Sequence, residues 1–184
     1  VVEAEACGVY SGTVSDYRRR LLLVGTSDAD AYVVDIFRVA GGRQHDWILH
    51  GSPDYEQTAR TSVPIQPLTG SILGPDVHFR LPADQNDVAD VSAPGLDSQP
   101  EGARRWYRLR GVGHAFIQSV GKAEVDGDWS VTFDFADDSE VHLHTTVLGA
   151  PQTTLYQISS PSIRRANEND AELPNYSMPG VLVR

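Results

Sequence analysis

One cysteine, one methionine and an 8% share of aromatics are the scarcest features of this 184-residue chain. Cys7 alone cannot close an internal disulfide, and neither a cysteine-based zinc site nor a CxxC redox pair can be built from it. No neighbour lowers its pKa, so it reads as a small packed residue rather than a nucleophile. No apolar run approaches the roughly 20 residues of a membrane-spanning helix. The first residues, Val1-Val-Glu-Ala-Glu-Ala6, lack the basic and apolar regions of a signal peptide. Basic residues are also in deficit: 15 Lys and Arg against 25 Asp and Glu give a formal charge of −10. That field repels phosphate and argues against nucleic acid or an anionic membrane as partner. P-loop, GxGxxG, HExxH and GxSxG motifs are all absent, and no window carries a sustained 3.6-residue period.

What is present is alternation. Trp129-Ser-Val-Thr-Phe-Asp-Phe135 sets Trp129, Val131, Phe133 and Phe135 on one face and Ser130, Thr132 and Asp134 on the other. Val141 to Val147 repeats the pattern, with His142 and His144 on the polar face, and Asp137-Asp138-Ser139 supplies a hairpin loop. Further strands are expected at 9–12, 17–24, 31–39, 45–50, 77–81, 106–109, 115–120, 154–158 and 180–184. Their turn signals include Thr26–Asp30, Gly41-Gly42 and Asp126–Asp128. Many short strands so punctuated predict an all-β fold, an antiparallel β-sandwich in a single domain over 1–184. The proline-, glycine- and acid-rich stretch 82–103 reads as a long surface loop or insert. Both ends look like interior positions of a longer chain.

The densest chemistry lies between Tyr32 and Gly51. Tyr32 to Val39 is apolar and β-branched, the pattern of a buried strand. Gly41-Gly42 is expected to turn it into a second strand, His45–His50. On that strand His45, Trp47 and Leu49 share one face; Asp46, Ile48 and His50 share the other. The cluster could bind a metal, hold a sugar or brace a sheet corner. Asp35 falls on the face of Val33, Phe37 and Val39, so its carboxylate needs donors or a cation. Arg38 points the other way, which leaves Arg18, Arg20 or a nearby histidine as the expected partner. Asp35 is therefore either an ion-paired brace or part of a metal or catalytic shell. His142 and His144 can supply two metal ligands, with Asp134 as a conceivable third, or can simply face solvent. Trp47 and the two histidines flanking it are the candidates for sugar contact, although the alternation of Trp47 with Leu49 also suits a core position.

The string YVVDIFRVAGG…HDWILHG, preceded by YRRRLLLV and followed by WSVTFDF, VHLHTTV and LPNYSMPGVLVR, resembles the heparinase II/III family of polysaccharide lyases. The similarity is to the β-sheet region after the helical catalytic domain. It is strongest over 17–51 and 129–184 and weak between 52 and 105. The resemblance implies a parent enzyme, periplasmic or secreted, that cleaves uronic-acid-containing polysaccharide by β-elimination. In such an enzyme this region packs on a helical toroid and walls part of the cleft. It further implies zinc or calcium as metals to consider in the full-length protein. In the family the principal acid–base residues belong largely to the toroid, so no catalytic residue carries over to this chain. The contrasting expectation is a stand-alone, non-catalytic carbohydrate-binding or structural β-sandwich.

Overall fold

The computed structural model describes residues 1–6, 8, 12–68, 70, 72, 78–80, 90–92, 116–137, 141–149 and 152–184. It is all-β and antiparallel throughout. The chain divides into two compact units, Val1–His45 and Asp46–Arg184.

The first unit is one three-stranded sheet in the order β1 (Val2–Glu5), β2 (Val14–Gly25), β3 (Ala31–Gly41). Its turn is fixed by Ser27, whose Oγ accepts from the backbone N–H of Ala29 and Asp30 and donates to Asp30 Oδ2 at 2.8 Å. Gly41 (φ +93°) faces Thr13, where a Cβ would come within 2.6 Å of a carbonyl oxygen, so only glycine fits. Gly41-Gly42 does not make the expected hairpin. The Gly42 N–H donates to Thr13 O at 2.9 Å, β3 pairs with β2, and the chain leaves for another sheet. The expected burial of Tyr32–Val39 also fails: Tyr32 is 53% and Val33 61% exposed, as is Leu23 of the neighbouring strand at 73%. Continuous apolar runs mark strands covered on both faces, and within this sheet that cover is missing.

The second unit is the sandwich. One sheet has the order β4 (Trp47–His50), β13 (Ser177–Val183), β12 (Thr153–Pro161), β9 (Gln118–Val125), β6 (Gln66–Pro67). The other has β11 (His142–Val147), β10 (Trp129–Phe135), β5 (Gln57–Thr61). Two short strands, β7 (His78–Arg80) and β8 (Asp90–Ser92), pair with each other, so part of the expected 82–103 loop is strand. A 3-10 helix spans Asp170–Asn175.

Between the two sheets, Trp129, Val131 and Phe133 of β10 meet Val125, Leu155 and Val181 of the five-stranded sheet. Val131, Phe133, Leu155 and Val181 are fully buried. Each such side chain contributes about 1.5–3 kcal/mol. Gln157 Nε2 donates to Ala59 O at 2.8 Å, tying one layer to the other. A smaller cluster of Ile72, Ile117, Ile158 and Leu182, with Ile48 and Tyr156 against it, forms on the opposite face of the five-stranded sheet. Most of the expected strand at 9–12, the expected strand at 106–109, most of 82–103 and Cys7 lie outside the described residues.

Candidate functional site

The candidate residues separate into three places. Asp35 stands on the exposed first sheet, where Arg19 grips it with Nε at 3.0 Å and 3.1 Å from the two oxygens and one terminal nitrogen at 2.6 Å. The register pairs Leu21 with Asp35, so odd-numbered residues of β2 share its face. Arg18 and Arg20, the expected partners, lie on the opposite face and turn instead to Asp16 and Glu3. The hydrogen bonds from Arg19, with Asp35's charge, raise the guanidinium pKa above its ordinary value. Asp35 is an ion-paired brace.

His45 ends the first unit and is exposed; its Nε2 lies 2.5 Å from Gly41 O, folded back on the glycine turn. Trp47 opens β4 opposite Val183 and packs, half-buried, against the sandwich core together with Leu49. Trp47 thus packs against the core, the position its alternation with Leu49 suits, while staying partly exposed. His50 shares the other face of β4 with Ile48. It sits opposite Gly180, where a Cβ would come within 3.1 Å of His50 Nδ1. That nitrogen is enclosed and, among the described residues, has no hydrogen-bond partner. Burial lowers the pKa of the imidazole, which favours its neutral form.

The third place is the outer face of β11-β10-β5. Register sets Thr58, Asp134 and His142 in one row and Arg60, Thr132 and His144 in the next. Arg60 holds Asp134 through Nε at 2.6 Å and a terminal nitrogen at 3.0 Å. Those bonds are the main cause of Asp134's lowered pKa, and the charge of Arg60 adds to it. Thr132 Oγ1 lies 2.9 Å from His144 Nδ1, and Thr146 Oγ1 lies 3.5 Å from its Nε2. Asp134, His142 and His144 are neighbours as the alternation suggested. Among the described residues no three His, Cys, Asp or Glu side chains group to hold a metal.

Ion pairs that the sequence does not announce include Arg184–Asp46 and Arg60–Asp134. Asp46 receives two bonds from Arg184, at 2.9 and 2.8 Å, and the same guanidinium lies 5.8 Å from the Tyr156 ring centre. The Arg60–Asp134 pair is hidden in the sequence because, of the inward residues Gln57, Ala59 and Thr61 of β5, only Ala59 is apolar, too little signal to mark a strand. Among the described residues no helix is long and apolar enough to cross a membrane. Comparison with known proteins returned no matching family model, no matching curated protein and no matching solved structure.

Proposed function

We propose that this chain is the C-terminal β-region of a heparinase II/III-like polysaccharide lyase, secreted or periplasmic, acting with a helical catalytic domain of the same parent chain. The observation that supports the reading is the coincidence of the family-like strings with strands. YRRRLLLV and YVVDIFRVAGG fall on β2 and β3, WILH on β4, WSVTFDF on β10, HLHTTV on β11 and SMPGVLV on β13. In the parent enzyme a base removes the C5 proton of a uronate, the sugar carboxylate is neutralised, and an acid protonates the leaving oxygen. This chain contributes a wall of the cleft and not the acid–base pair. His45, Trp47 and His50, in and just before β4, are its candidates for contact with polysaccharide.

The test is to express the chain with its native upstream sequence and follow unsaturated uronate ends by ultraviolet absorbance. The proposal expects product from the longer protein and none from residues 1–184. A native polypeptide of this length, or a longer one inert on every uronate polysaccharide tried, contradicts it. A second reading, a non-catalytic glycan-binding module, draws on the closed core of residues 46–184. It expects retention of the isolated chain on immobilised polysaccharide with no turnover.

A further inference from the structure

Among the described residues β11 is an edge strand, and two of its exposed side chains are the imidazoles of His142 and His144. Two residues apart on a strand, they project from the same face about 7 Å apart along the chain. Such a pair converges on one ion when each ring turns a nitrogen lone pair toward the other. The His144 ring is already oriented: the tautomer that donates from Nδ1 to Thr132 Oγ1, 2.9 Å away, leaves Nε2 with a free lone pair. The hydroxyl of Thr146 makes a long hydrogen bond of 3.5 Å to that nitrogen, which an ion would displace. A hydrogen bond to the far ring nitrogen is the usual outer support of a metal-bound histidine. His142 stands opposite Asp134, whose carboxylate is engaged by Arg60 and so supplies field rather than a ligand. The net charge of −10 also favours a cation.

We propose that His142 and His144 form a two-histidine chelate for a divalent transition metal, with water in the remaining positions. Imidazole pairs suit Cu²⁺, Ni²⁺ and Zn²⁺, and Cu²⁺ binds most tightly of the three. Asp35 has no part in the site, because Arg19 occupies its carboxylate. The site is independent of the lyase reading and stands or falls separately.

The experiment is a calorimetric titration of the whole chain with CuCl2, paired with electron paramagnetic resonance to count coordinating nitrogens. The expected result is one site with two imidazole nitrogens. His142→Gln and His144→Gln should each weaken it by about tenfold or more, and Thr132→Val by less. Both histidines are exposed, so thermal unfolding of the metal-free variants should match that of the parent. Unchanged Cu²⁺ affinity in either single variant overturns the assignment. So does a two-nitrogen signal that survives in the double variant, which would place the ion on others of the six histidines.

Discussion

The sheet of residues 1–45 and the sandwich of residues 46–184 use similar strands to opposite ends. In the sandwich, Val131 and Phe133 alternate with polar residues, and their face is closed by Leu155 and Val181. In the first sheet, Leu21 to Val24 and Tyr32 to Val34 are at least as apolar, yet Leu23 and Val33 stand mostly exposed. What orders that sheet is its backbone ladder, the Tyr17–Phe37 edge contact at 5.2 Å, and the ion pairs Arg19–Asp35 and Arg20–Glu3. Exposed pairs of that kind contribute about 0–1 kcal/mol each. Hydrophobicity alone therefore does not stabilise a strand; an opposing layer has to complete the burial.

Substitutions can break this contrast. Phe133→Ala, which removes a fully buried ring from the middle of the core, should cost about 3–5 kcal/mol in denaturant unfolding of the sandwich. Asp46→Ala leaves the partly buried Arg184 without its two hydrogen bonds and should cost about 1–2 kcal/mol. His50 should give the sandwich a pH dependence. Its folded-state pKa lies below the ordinary 6.5, so the unfolded chain binds the proton more readily. Its contribution is thus full above about pH 6.5 and lost as the pH falls through the lowered folded value. His50→Gln should flatten the fall in Tm between about pH 7 and about pH 5. At the small end, Leu23→Thr in the open sheet should change stability by no more than about 0.5 kcal/mol. A cost near that of Phe133→Ala would mean that Leu23 is covered.

Strand positions were largely legible where alternation was clean. Trp129–Phe135 coincides with β10, and Val141–Val147 differs from β11 by one residue. β5 was not legible, because a strand whose inward residues are Gln57, Ala59 and Thr61 has almost no hydrophobic period. β13 begins three residues earlier than its apolar stretch suggests, since Ser177, Met178 and Pro179 continue its pairing with β12. The partner of β4 was misjudged for a different reason. Gly41-Gly42 announces a reversal but does not say which strand receives the chain, and β13, over a hundred residues away, does so. Of the candidate site, the shared face of Asp134, His142 and His144 could be read from period two. The grips of Arg60 on Asp134, Arg19 on Asp35 and Arg184 on Asp46 could not, because each depends on cross-strand register.

Amide hydrogen exchange across the whole chain tests most directly the claim that the sandwich carries the stability. The amides of β10, β12 and β13 should exchange only through global unfolding, while those of β2 and β3 exchange through openings of much lower free energy. Equal protection of β2–β3 and β10 would contradict the account and show that the first sheet is held as firmly as the core.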